Sequence, residues 1–186
     1  MFMAYDIVRW IAGVLIFFLL IAILVLFTKK MGKAILASAI VSVALVAVSL
    51  LVPVENYFLS FNTVEDIFNY RYHERLLTYA ECDEGVLCVA QKDQINYTYY
   101  SFLKDAEGYK LTKNLIPNAV IRSSAHGIYL FEKFENQTII MTQVLDSAYK
   151  GEDFTPCSNG YYSYTVVDGI VDYSALTCKG EKVKLI

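Results

Sequence analysis

Acidic residues in predicted turns are the side chains of this 186-residue chain that come closest to a recognisable chemistry. Two adjacent pairs, Asp83-Glu84 and Glu152-Asp153, are followed later by Asp168 and Asp172. Paired carboxylates bind calcium, or serve as acid and base in hydrolysis. No calcium-loop spacing accompanies these pairs. We therefore predict no metal site and no cofactor, and a cell-surface hydrolase that uses these acidic turns is kept as an alternative.

Other catalytic motifs are scarce. The two histidines, His73 and His126, lie near the end of a predicted helix and in a predicted turn. The sequence contains no nucleophile elbow, no zinc-protease motif and no phosphate-binding loop. Two tripeptides that begin at Asn96 and Asn136 match the N-glycosylation pattern, which matters only in a eukaryotic source. A binding or accessory role is therefore favoured over covalent chemistry.

The four cysteines are Cys82, Cys88, Cys157 and Cys178, and none lies in the first 81 residues. An even number of cysteines confined to one part of a chain is typical of disulfides formed in an oxidising compartment. Cys82 and Cys88 flank the turn at Asp83-Glu84-Gly85, which predicts a local bridge between them. The alternative is four buried thiols in a cytosolic domain.

A second predicted bridge joins Cys157 to Cys178. Asp168-Gly169 is a two-residue hairpin signal, and the register that it implies places Cys178 opposite Asn159. Cys157 is then the diagonal neighbour of Cys178, and a slight bend of the strand would bring the two sulfur atoms into bonding range. Closing a loop of about 20 residues would stabilise the domain by about 3 kcal/mol.

Two tyrosine-rich stretches, YTYY and YYSY, form the candidate binding surface. On a strand, such stretches place rings on both faces, so one face would be exposed if only the other were covered. Exposed aromatic rows bind glycans, peptides or partner proteins, but packing under a helix and a second sheet gives the same pattern and is favoured. The candidates are Tyr97, Tyr99, Tyr100, Tyr161, Tyr162 and Tyr164.

Two apolar runs precede all of these residues. Residues 7–27 contain one charge, Arg9, residues 34–52 contain none, and each run is long enough to cross a bilayer as a helix. The first run lacks the small-x-small pattern of a cleavage site, which favours a retained anchor over a cleaved signal peptide. We therefore predict a transmembrane hairpin over residues 1–52.

Lysines between the two runs predict the orientation of this hairpin. Lys29, Lys30 and Lys33 lie in the loop 28–33, and positive residues in short loops stay on the cytoplasmic side. Both termini and residues 53–186 should then lie outside the plasma membrane. Small residues such as Ser38 and Ser42 recur along the second run and predict close packing against the first. The alternative is an immunity or regulatory protein that docks through the second span.

Residues 53–186 have the pattern of an α+β domain. NTVEDIFNYRYHE, residues 62–74, predicts one short helix with Thr63 and Asp66 in capping-box spacing. About eight to ten short strands follow, separated by turn signals. We expect the helix to cover one face of a curled antiparallel sheet, with a β-sandwich as the alternative.

Two spans, a capped helix at FNTVEDIFNYRY and cysteine-containing hairpins resemble the layout of small membrane-anchored extracytoplasmic proteins of Gram-positive bacteria that have no assigned activity. The resemblance transfers no functional residues.

Residues 53–186 carry 12 basic and 18 acidic side chains, a net charge of −6, which disfavours nucleic acid as a partner. The expected function is a membrane-anchored binding or accessory module, with a protein or glycan at the cell surface as its partner.

Overall fold

The computed structural model describes residues 4–28, 31–51, 53–94, 96–112, 120–123, 127–169, 171, 177–178 and 181–182. Several residues of the sequence-based predictions lie outside these ranges, namely Lys29, Lys30, His126 and Asp172. Lys33 belongs to the second helix of the chain.

Two long helices begin the chain, α1 at Ala4–Thr28 and α2 at Met31–Leu51. Within α1, the segment Ile7–Leu26 has a mean hydropathy of 2.8 and is long and apolar enough to cross a membrane, a test that a signal sequence also passes. The apolar segment found in α2, Ile35–Leu45, is shorter. Among the described residues there is thus one candidate span, and the predicted two-helix membrane hairpin is not confirmed.

The two helices pack against each other along one face of each. The partly buried positions of α1 recur every three or four residues, as at Gly13, Phe17 and Leu20, and Ser38 of α2 is fully buried. Their other faces expose large apolar side chains, among them Leu15, Phe18 and Leu19 of α1 and Leu36, Ile40 and Val43 of α2. Water would not favour so large an apolar surface, whereas lipid would.

A 3₁₀ helix at Val54–Tyr57 leads into the third helix, α3, at Val64–Arg71. The predicted cap is confirmed, because the Thr63 hydroxyl accepts a hydrogen bond of 3.1 Å from the Asp66 backbone N–H. Val64, Ile67 and Phe68 form one buried face of the helix. Their i, i+3, i+4 spacing is the pattern that predicted this helix from the sequence.

Within the described residues, the strands that follow are all antiparallel and form three sheets. The first has the order β1-β2-β3-β4 and contains Arg75–Glu81, Gly85–Gln91, Tyr97–Asp105 and Gly108–Leu111. The second has the order β5-β6-β7-β9-β8 and contains β5 Val120–Ser123, β6 Ile128–Lys133, β7 Gln137–Val144, β8 Thr155–Cys157 and β9 Gly160–Asp168. A small hairpin pairs β10, Thr177–Cys178, with β11, Glu181–Lys182.

The predicted α+β class is confirmed, but the predicted curled sheet is not confirmed. One apolar cluster joins Phe68 of α3 to Val86 and Phe102 of the first sheet. A second joins Leu87 and Val89, on the other face of that sheet, to the second sheet. The first sheet therefore lies between α3 and the second sheet, and the face-to-face packing of the two sheets is that of the β-sandwich alternative. Because β2 is covered on both faces, its residues 85–90 are all buried.

Candidate functional site

An ion pair between Arg9 of α1 and Glu55 of the 3₁₀ helix connects the helices to the rest of the chain, beside a contact of α1 with α3. Arg9 Nε donates to Glu55 Oε1 at 2.8 Å, and Arg9 Nη2 donates to Glu55 Oε2 at 3.1 Å. The two side chains are only 10% and 3% exposed. Such a bidentate ion pair fixes both the distance and the orientation of the two side chains, so it holds the start of α1 beside the chain that follows α2.

An open groove of about 570 Å³ lies next to this ion pair, where the 3₁₀ helix meets three hairpin turns. The turns join β1 to β2, β3 to β4, and β6 to β7. We call this the turn groove, and its lining residues are Asn56, Tyr57, Glu84, Leu103, Lys104, Asp105, Glu107, Lys110, Phe134 and Glu135.

The turn groove carries more negative than positive charge. Four of its lining residues are acidic and two are lysines. Both lysines are already paired, Lys104 with Glu81 and Lys110 with Glu107, the latter at 2.9 Å. Leu103 and Phe134 add apolar surface to the same groove. Because like charges repel, this surface suits a neutral or cationic partner better than an anionic one.

Glu84, one of the predicted acidic candidates, connects the two sheets. Its carboxylate accepts hydrogen bonds from the Asn136 backbone N–H at 2.8 Å, from Asn136 Nδ2 at 2.7 Å and from the Gln137 backbone N–H at 3.2 Å. These bonds, above all the one from the Asn136 backbone, hold the pKa of Glu84 below its usual value. A carboxylate whose charged form is favoured by these hydrogen bonds, and which holds a turn in place, is suited to a structural role rather than to donating a proton.

Two of the other acidic candidates lie close to Glu84 through a shared neighbour, Gln137. The Asp83 backbone N–H donates to Gln137 Oε1, and Gln137 Nε2 donates to Asp168 Oδ1 at 3.4 Å. Glu152 and Asp153 follow the opposite end of β7 and are exposed. His73 is also exposed. Within the described ranges, no group of three or more His, Cys, Asp and Glu residues is placed to hold a metal ion.

We compared the chain with protein families, curated proteins and solved structures. No family, curated protein or solved structure matches it.

The six candidate tyrosines are spread over several faces and do not form one surface. Tyr100 lies on the α3 side of the first sheet, stacked on Tyr72 with 3.6 Å between ring centroids, and its hydroxyl donates to Glu74 at 2.9 Å. Tyr99 and Tyr162 pack between the sheets. These contacts match the packing interpretation for Tyr99, Tyr100 and Tyr162.

The remaining three candidates lie nearer to solvent. Tyr97 is half-buried, and Tyr161 lies under the Lys150 ammonium, which is 5.0 Å from the ring centroid. Tyr164 is 51% exposed. Since neighbours along a strand point to opposite faces, Tyr161 and Tyr162 cannot share a binding surface.

The predicted bridge between Cys82 and Cys88 is not formed, and both residues carry free thiols. Cys88 packs on the α3 side of the first sheet, whereas Cys82 packs on the side that faces the second sheet. A disulfide cannot join two side chains that point to opposite faces of one sheet. Burial raises the pKa of both thiols. Neither has the thiolate character of a catalytic cysteine.

Cys157 is likewise a free thiol, and its strand, β8, ends at this residue. The predicted slight bend at Asn159-Gly160 is a hairpin, in which Cys157 of β8 pairs with Gly160 of β9. Cys157 therefore lies beside β9 rather than further along it. Cys178 pairs with Glu181 in the small hairpin, and its side chain lies outside the described part of the chain. The cysteines therefore lend no support to an outside location.

Alkylation tests the free thiols directly. Denatured protein that has never been reduced should be labelled at Cys82, Cys88 and Cys157, as read by peptide mass spectrometry. In the native protein Cys88 should resist labelling, because it is fully buried and burial raises its pKa. Labelling of these residues only after reduction would contradict the structure and restore the predicted disulfides.

Two features of the structure were missed in the sequence. Arg9 was noted only as a lone charge, and no local signal connects it to Glu55, 46 residues away. The other feature is Glu132, which is 1% exposed between the two sheets. A signal for its burial existed, because Glu132 shares the inward alternation of Ile128, Leu130 and Phe134.

Burial raises the pKa of Glu132 to about 7, an effect that a hydrogen bond from the Ser101 hydroxyl only partly offsets. Its Oε2 atom has no hydrogen-bond partner. A carboxyl group of this kind is therefore neutral in mildly acidic solution and becomes charged inside the domain near neutrality.

Proposed function

We propose that the chain is a membrane-anchored binding or accessory module that carries out no covalent chemistry. In this proposal α1 and α2 cross the plasma membrane as a hairpin, and residues 53–186 work at its outer surface. The observation that carries the proposal is the buried ion pair between Arg9 and Glu55, since it makes the apolar helix α1 part of the folded unit.

The ion pair supports retention of α1 over its removal as a signal peptide. Cleavage would take away the guanidinium group that binds both carboxylate oxygens of Glu55, which is only 3% exposed. A buried charge without its partner is strongly destabilising. Removal of α1 would also uncover Ser38, which is fully buried. The fold thus depends on a helix that a mature secreted protein would have lost.

The same contact supports a second crossing by α2. Arg9 lies near the start of α1, and Glu55 follows the end of α2, so the two helices return the chain to the level at which it started. The 21 residues of α2 span about 32 Å at the usual helical rise, against roughly 30 Å for the apolar core of a bilayer. An α1 that crosses the membrane therefore implies an α2 that crosses back, with Lys29, Lys30 and Lys33 on the cytoplasmic side.

The turn groove is the proposed contact surface for the partner. It lies beside the 3₁₀ helix that follows α2, and therefore at the end of the domain nearest the membrane. Its charge and its apolar residues suit a neutral glycan or a cationic protein segment. Docking through the small residues of α2 is less favoured, because α1 already covers Ser38.

Protease protection tests both retention and topology. The full chain would carry one epitope tag at its N-terminus, a second in the loop after Lys30 and a third at its C-terminus. In intact cells without a wall, we expect external protease to remove both terminal tags and to spare the loop tag until the membrane is permeabilised. Loss of the N-terminal tag from the mature protein before protease is added would contradict retention of α1. Cleavage of the loop tag in intact cells would contradict the proposed topology.

A further inference from the structure

Three consecutive apolar side chains project from the domain immediately after α2. Tyr57 is 79% exposed, Phe58 is 84% exposed and Leu59 is 39% exposed. Outside α1 and α2, the other large apolar side chains found exposed in the described residues are separated along the chain. Single exposed apolar residues are ordinary, but three in a row are costly in water. We call residues 57–59 the apolar wedge.

The wedge is held rigidly by the domain that carries it. Asn56 Nδ2 donates to the Leu111 carbonyl at 2.8 Å, and the Leu111 N–H donates back to Asn56 Oδ1 at 2.8 Å. The N–H groups of Phe58 and Leu59 donate to the Glu55 carbonyl, at 2.9 and 2.7 Å. Because Asn56 ties this segment to β4 and the Glu55 carbonyl holds Phe58 and Leu59, the backbone of the wedge belongs to the folded structure.

The wedge also lies at the same level as the outer end of α1. Glu55, two residues before Tyr57, binds Arg9, and the residue after Arg9 is Trp10, which is 71% exposed. The ion pair thus places the wedge near the exposed apolar surface of α1. Tryptophan and tyrosine favour the boundary between lipid and water, where the ring is buried and its polar atom stays hydrated.

We propose that the apolar wedge lies in the headgroup region of the outer leaflet, beside Trp10, and that this contact fixes the orientation of residues 53–186 on the membrane. The inference rests on the proposed anchoring by α1 and α2, and it names the lipid bilayer as the second partner of the folded domain. Two contacts, the Arg9–Glu55 ion pair with α1 and the wedge with lipid, hold residues 53–186 in one orientation on the membrane. Tyr57 belongs to both the wedge and the turn groove, so the groove opens along the membrane surface.

Tryptophan fluorescence tests the wedge, because Trp10 is the single tryptophan of the chain. The full chain is placed in phosphatidylcholine and phosphatidylglycerol vesicles, with and without lipids brominated close to the headgroup. Three proteins are compared: the unchanged chain, and the variants Phe58→Trp and Leu145→Trp, both made with Trp10→Phe. Leu145 is the matched control, since it is 71% exposed but follows the opposite end of β7 from the turn groove. Tyr57→Trp repeats the test in case Phe58→Trp fails to fold.

We expect the tryptophans at positions 10 and 58 to be quenched by brominated lipid to a similar degree and to be shielded from acrylamide in water. The tryptophan at position 145 should show the reverse. Quenching at position 10 alone, with position 58 open to acrylamide, would overturn the wedge while leaving the membrane anchor intact. Shielding of position 58 from both quenchers would overturn it in favour of a protein covering the wedge. A Trp10 that is not quenched by lipid would instead contradict the proposed function itself.

Discussion

Replacing Arg9 with alanine is expected to lower the free energy of unfolding by about 3–5 kcal/mol, because it leaves the Glu55 carboxylate buried without its partner. Glu55 is 3% exposed and accepts from two nitrogen atoms of Arg9. Neither oxygen would keep its guanidinium donor after the substitution. The measurement is denaturant-induced unfolding of the detergent-solubilised protein, followed by tyrosine fluorescence or circular dichroism.

The control for this prediction is an ion pair in a wetter place. Lys104 pairs with Glu81, and the two side chains are 34% and 30% exposed, so Lys104→Ala should cost about 1 kcal/mol or less. The double variant Arg9→Met with Glu55→Met should recover most of the loss, because it removes both buried charges together. An Arg9→Ala protein no less stable than Lys104→Ala would show that α1 is not part of the folded unit.

Replacing Glu132 with glutamine is expected to stabilise the protein by about 3 kcal/mol above neutral pH and to have little effect in acid. The pKa of Glu132 is about 7 in the folded chain, against an ordinary value of 4.5. At pH values below 4.5 the carboxyl group is neutral in both the folded and the unfolded state, so it does not change stability with pH. As the pH rises from there, the unfolded state ionises first, so the folded state loses stability until the pH passes about 7. Glutamine stays neutral throughout and removes this loss.

Unfolding measured from about pH 4 to about pH 9 checks the Glu132 prediction. The two curves should coincide at the acid end and separate progressively up to neutrality. Glu135→Gln is the matched control, since Glu135 is three residues away and exposed, and its curve should follow that of the unchanged chain. Glu84 affects stability at the acid end and in the opposite direction. Its folded pKa is lowered, so the stability that it contributes is lost as the pH falls through that pKa. It is common to all three proteins and cancels in the comparison. Parallel curves for Glu132→Gln and the unchanged chain would contradict the buried position of this carboxyl group.

Much of the secondary structure could be predicted from the sequence, because its signals are local. The capping spacing of Thr63 and Asp66 located α3, and the period of two with its turn signals predicted the series of short strands that follows α3. A strand of three residues such as β8 is too short to show a period. The candidate site was predicted less well. Acidic turns and tyrosine rows were recognised by composition, which does not say which side chains share a face.

The errors have a common physical cause, which is that register and layering depend on contacts between distant residues. A single curled sheet and two facing sheets produce similar alternation in each strand, so the sequence left that choice open. The faces of Cys82 and Cys88 depend on the pairing of β1 with β2. A shift of one residue would have placed Cys88 on the other face.

The sequence by itself determined the properties that a few neighbouring residues create: an apolar N-terminal helix, a capped amphipathic helix and a series of antiparallel hairpins. These follow from periodicity and turn chemistry, which act over a few residues. Only the tertiary structure decided which charges are buried and with what partner. Arg9 meets Glu55, and Glu132 meets none at its Oε2 atom, because helices and sheets far apart in the sequence pack around these groups. Burial is a property of all the surrounding elements together, and no short stretch of sequence contains it.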